Sequence, residues 1–115
     1  MSQSPAHNGP IYSSLADDEM MCELVEEFVA EIPERVETLR NAFASQDWDA
    51  VQRQAHQLKG AFGSYGFDEM TSPARALEKS SSDCRDNSIV IGEDLERLAA
   101  LCERMTSVPA PAATA

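Results

Sequence analysis

The sequence predicts an all-α fold, an antiparallel four-helix bundle. Three observations carry that expectation. Apolar residues recur at spacings of three and four in four separate stripes. No segment alternates apolar and polar residues as a half-buried strand would. The connections between stripes are short, which favours antiparallel neighbours.

The first stripe is Met21, Val25, Phe28, Ile32, Val36, Leu39 and Phe43, with Asp17 and Asp18 placed as start signals before it. It predicts a helix over 18–45. Pro33 lies inside and removes one intrahelical hydrogen bond, but the stripe keeps its phase, so a kink is expected rather than a turn. Ser45-Gln46-Asp47 breaks the pattern, and Asp47 can cap the next helix. Trp48, Val51, Ala55, Leu58, Phe62 and Tyr65 form the second stripe, a helix over 47–65 that Gly66 ends. Phe67, Met70, Ala74 and Leu77 predict a third helix over 67–81, in which Pro73 marks a start or a kink. The run SSSDCRDN at 80–87 reads as a loop. Ile91, Leu95, Leu98, Cys102 and Met105 predict the last helix, over 88–106. The bundle then spans 15–107. Residues 1–14 and 108–115 read as flexible tails, with Ile11 and Tyr12 the residues of the first tail able to pin to the body.

At 115 residues the chain reads as one domain. Its 20 acids against 9 bases leave a net charge of −11. That excludes a duplex nucleic-acid binder, which needs clustered cations, and an anionic membrane surface. The acid is uneven: residues 1–50 hold eleven acids and two arginines, whereas seven of the nine bases come after residue 50. Cys22, Cys84 and Cys102 are odd in number, with no CxxC pair, so they read as small buried hydrophobes or surface thiols. Met1 to Pro10 lacks the features of a signal peptide, and no apolar run nears the roughly 20 residues that span a bilayer. A cytoplasmic protein is expected.

The chemistry sits in Gln52 to Gly66, QRQAHQLKGAFGSYG. At about 100° per residue, Val51, Leu58 and Tyr65 fall opposite His56, so the imidazole should face solvent from the middle of an anchored helix. Asp49, Gln52, Arg53, Lys59, Gly60 and Gly63 share that face. Two glycines there are unexpected, since each costs about 1 kcal/mol against Ala in a helix interior. Without a Cβ they let another surface approach the ring. Lys59, one turn away, can reach an anion held on it. A neutral imidazole is a competent nucleophile near neutral pH, with a reference pKa of about 6.5. Most lone surface histidines are only solvated residues; the glycines and the lysine on the same face set this one apart. His7 and the cysteines lack helical spacing to His56, so no metal site is expected.

The run His56-Gln57-Leu58-Lys59-Gly60, with Gly66 ten residues after the histidine, resembles the histidine-containing phosphotransfer (HPt) signature H-x-L-K-G-x5-G. Ala55 and Gly63 fit it. Phe28 to Leu39 with Pro33 is similar to the family's first long helix, Ala44 to Trp48 to its connecting turn, and Ala76-Leu77-Glu78 to the end of its next helix. Pro73 and the bulky Phe62 depart from the pattern. The resemblance implies a phosphorelay shuttle with His56 as phosphoacceptor and Lys59 stabilising the phosphoryl group. Gln52, Arg53, Gly60 and Gly63 would form the docking face. The implied partners are response-regulator receiver domains and a hybrid histidine kinase, with no cofactor of its own and Mg²⁺ supplied by the receiver. A monomer is expected. No GxxxxGK[ST] run is present, so self-phosphorylation from ATP is not expected. Two other readings compete. One is the phosphoacceptor domain of a chemotaxis-type histidine kinase acting in trans. The other is a non-catalytic helical adaptor, which would tolerate loss of His56.

Overall fold

The computed structural model describes residues 9–83 and 88–111. Four α-helices and one short 3-10 turn make the body: α1 Cys22–Ala44, α2 Trp48–Ser64, the 3-10 turn Asp68–Met70, α3 Thr71–Asp83 and α4 Ser88–Cys102. Among the described residues no helix is long and apolar enough to cross a membrane. The predicted stripes are the core. Val25, Phe28, Ile32, Val36 and Leu39 are buried on α1, and Val51, Ala55, Leu58 and Phe62 on α2. Ile91, Leu95, Leu98 and Cys102 are buried on α4. Phe62 is fully buried and meets Phe28 edge-on, with ring centroids 5.9 Å apart. Its bulk therefore fills the space between α1 and α2.

Several boundaries move. The first helix begins at Cys22, not residue 18, because Asp18 caps an earlier turn: its carboxylate accepts from the backbone N–H of Met20 and Met21 at 2.8 and 3.1 Å. The helix runs unbroken through Pro33, which lies on the exposed side. Asp47 caps α2 as expected, accepting from the Ala50 N–H at 3.1 Å. Pro73 sits in the first turn of α3, where its missing N–H has no intrahelical partner to lose. Residues 80–83 continue α3, beyond the expected helix end at 81 and into the expected loop. Ser80 and Ser81 fit there because their hydroxyls donate back to the Leu77 carbonyl. The rest of that expected loop, 84–87, lies outside the described residues, as does Cys84. Burial pushes the Cys102 thiol up to about 12, so it behaves as a neutral hydrophobe.

The expectation of no strand fails at one place. Met105–Thr106, assigned to the last helix, forms β2 and pairs in parallel with β1, Ile11–Tyr12. Ile11 is buried in the core, so this part of the expected first tail is pinned to the body. Two-residue strands are too short to show alternation, and their partners come from opposite ends of the chain. The Arg104 Nε donates to the Gly9 carbonyl at 2.8 Å across the same seam. The segment after β1 then crosses the end of α2: Ser13 Oγ donates to the Tyr65 carbonyl at 2.6 Å, and the Ser14 N–H to the Gly66 carbonyl at 2.9 Å. Expected tail residues 1–8 and 112–115 lie outside the described residues.

Candidate functional site

The periodicity that buries Val51, Ala55, Leu58 and Phe62 turns His56 outward, with 65% of its side chain exposed. α3 lies alongside α2 and contributes a partner that periodicity did not place in the site, Glu78. Its Oε2 lies 2.8 Å from His56 Nδ1, and its Oε1 lies 2.7 Å from Lys59 Nζ. One carboxylate thus holds both predicted residues, each through a separate oxygen.

The electrostatics of the trio are consistent with one another. The hydrogen bond from Lys59 holds the Glu78 carboxyl below its usual range. The His56 contact adds to this, and partial burial opposes both. Glu78 is therefore an ionised acceptor at neutral pH. A carboxylate has no proton to give, so the ring must donate from Nδ1. In the neutral ring this leaves the lone pair on Nε2. The arrangement can orient an imidazole, select its tautomer and stabilise positive charge on it.

The structure brings some of the predicted residues together and leaves others apart. Gln52, Arg53, His56 and Glu78 line one shallow depression with Asp49. Lys59 does not project freely into solvent; its ammonium is paired with Glu78 and its side chain is about three-quarters covered. Gly60 and Gly63 have open space beside them, and a Cβ built on either meets nothing within 4 Å. Among the described residues they serve no packing need. Glu78 left one signal in the sequence: a carboxylate beside Leu77, at the border of the third apolar stripe. Periodicity alone could not pair it with a histidine 22 residues earlier.

Residues 23–107 match the Hpt domain family, and they cover most of the chain. The chain belongs to the Hpt domain family. Hpt domains are phosphotransfer modules of two-component relays and carry a phosphoryl group on histidine without a kinase site of their own. The match runs from the first turn of α1 to just beyond β2, so it takes in both helices that build the His56 site. No curated protein and no solved structure matches the chain.

Proposed function

We propose that the protein is a relay intermediate. It accepts a phosphoryl group from the phospho-aspartate of one receiver domain on His56 and passes it to the aspartate of another. The observation that carries this is the exposed His56 ring bonded through Nδ1 to Glu78 Oε2 at 2.8 Å. That bond leaves Nε2 as the nucleophile. Its lone pair attacks phosphorus, the acyl P–O bond breaks, and the bonding pair stays on the receiver carboxylate. The ring becomes a phosphoimidazolium, whose charge the Glu78 carboxylate offsets. Phosphoryl transfer asks mainly for alignment and charge stabilisation, which this trio supplies.

In this reading Lys59 does two things. It holds the Glu78 carboxylate through Oε1, and it is the ammonium nearest in sequence for the phosphoryl oxygens. Gly60 and Gly63 clear room for the receiver, with Gln52 and Arg53 at the edge of its footprint. The bundle is antiparallel and acts as a cytoplasmic monomer. The receiver, and not this chain, brings the Mg²⁺ of the reaction. A hybrid histidine kinase stands upstream.

The test is a labelling comparison. The protein is incubated with a phosphorylated receiver and, separately, with a histidine kinase and ATP. Label is expected from the receiver and to disappear in His56→Ala. Label from the kinase alone would favour the chemotaxis-type reading. Label that survives in His56→Ala would remove the histidine from the mechanism.

A further inference from the structure

Glu78 contributes a bond before transfer, but its larger consequence comes after it. Once Nε2 carries phosphorus, the ring holds a positive charge as long as Nδ1 keeps its proton. If that proton is lost to solvent, the phosphorylated ring is neutral. It can then leave phosphorus only as an imidazolate, a strongly basic anion and a poor leaving group. With the proton retained, the Nε2–P bond breaks, the pair returns to Nε2, and a neutral imidazole departs with Nδ1–H still in place. That is the tautomer the free site already holds. No proton need move in either direction.

We propose that Glu78 sets the lifetime and transferability of the phosphohistidine by keeping His56 Nδ1 protonated after Nε2 is phosphorylated. This rests on the reading of His56 as the phosphoacceptor. Three observations support it. Glu78 Oε2 is within 2.8 Å of Nδ1. Glu78 engages Lys59 with its other oxygen at 2.7 Å, so the two contacts do not compete for one atom. Lys59 also draws the carboxyl below its usual range, so the acceptor stays charged through the neutral region and further into acid than an ordinary carboxylate. Among the described residues the charged groups around the ring are Glu78 from α3 and Asp49, Arg53 and Lys59 from α2. Arg75 and Lys79, also on α3, are exposed. Among these groups only Glu78 is bonded to the ring, so it is the one placed to hold the proton.

The experiment loads His56 with phosphoramidate, a small chemical donor, in wild type and Glu78→Gln. The donor is removed and loss of the phosphoryl group to water is followed across pH. In that step the Nε2–P bond breaks, water oxygen bonds phosphorus, and phosphate leaves. Glutamine keeps an acceptor oxygen and the shape but not the charge. Glu78→Gln is expected to lengthen the lifetime at about pH 8.5 roughly tenfold, the change that about 1.4 kcal/mol of lost stabilisation of the Nδ1–H form produces. Transfer to a receiver at the same pH should slow in parallel. At about pH 5, where solvent supplies the Nδ1 proton without help from residue 78, the lifetimes should converge. Superimposable pH profiles would overturn the proposal. A second measurement needs no variant: the ³¹P shift of phosphorylated wild type should titrate at higher pH than free Nε2-phosphohistidine, and an equal midpoint would overturn it as well. Loading from phosphoramidate without exchange to any receiver would instead count against the relay function and leave the lifetime comparison intact.

Discussion

The exposed face of α2 and the turn that closes it, only a turn apart, use glycine for different reasons. Gly60 and Gly63 stand in open space on the His56 side, where an added Cβ would touch nothing. Gly66, just past the helix end, has φ +84°, and a Cβ there would lie 2.6 Å from Ser13 Oγ, 2.9 Å from Ser14 Oγ and 3.0 Å from the Leu15 Cγ. Its left-handed backbone closes the helix: the Phe67 N–H donates to the Phe62 carbonyl and the Gly66 N–H to the Gly63 carbonyl. The turn after α1 closes in the same way, through Asp47 to Ala42 and Gln46 to Phe43. There Gln46 takes φ 57° with its side chain exposed. Positive φ alone therefore does not demand glycine in this chain. The segment that crosses the α2–α3 turn does. The lesson is that Gly66 is explained by its neighbours in the fold, whereas no described residue explains Gly60 and Gly63.

Four substitutions sharpen or break that contrast. The largest effect is expected at Gly66→Val, which adds the cost of a left-handed β-branched residue to a clash with Ser13 and Ser14. A loss of about 3 kcal/mol is expected from these two together. Urea denaturation measures it, and an unchanged midpoint would mean the N-terminal segment does not close over the turn. Next is Gly63→Leu, which should leave circular dichroism native while slowing phosphoryl transfer from a receiver at least tenfold, about 1.4 kcal/mol of transition-state stabilisation. Wild-type rates in the folded variant would make the open face incidental. Gly60→Ala should go the other way in stability, gaining about 1 kcal/mol because alanine favours the helix and meets no neighbour. A loss on thermal or urea unfolding would reveal a packing role that the open surroundings do not show.

The smallest effect concerns Glu78 and stability itself. Its folded carboxyl titrates below the usual carboxylate range, through Lys59 first and His56 next. A depressed acid stabilises the fold above its unfolded pKa and loses that contribution as pH falls through the folded value. Glu78→Gln should therefore be slightly less stable than wild type at neutral pH, and the gap should close in acid below about pH 4. A gap that persists there would assign the effect to packing rather than charge. The pair is partly exposed, so its contribution to stability is modest.

Much of this was legible in sequence because helices write their burial locally. Val25, Phe28, Ile32, Val36 and Leu39 recur at helical spacing, and the same arithmetic turned His56 outward and grouped it with Gly60 and Gly63. Those features depend on residues within a turn or two of each other. Glu78 was not legible as a site residue, because its partners lie 19 and 22 residues earlier on another helix and are reached only when α2 and α3 pack side by side. Nor was the pairing of Ile11 with Met105, or the contact of Ser13 with Tyr65, 52 residues away. Sequence periodicity by itself determined which face of each helix is apolar and which histidine is presented. Tertiary packing alone decided which nitrogen of that histidine is free, because the carboxylate that α3 sets beside the ring selects the tautomer.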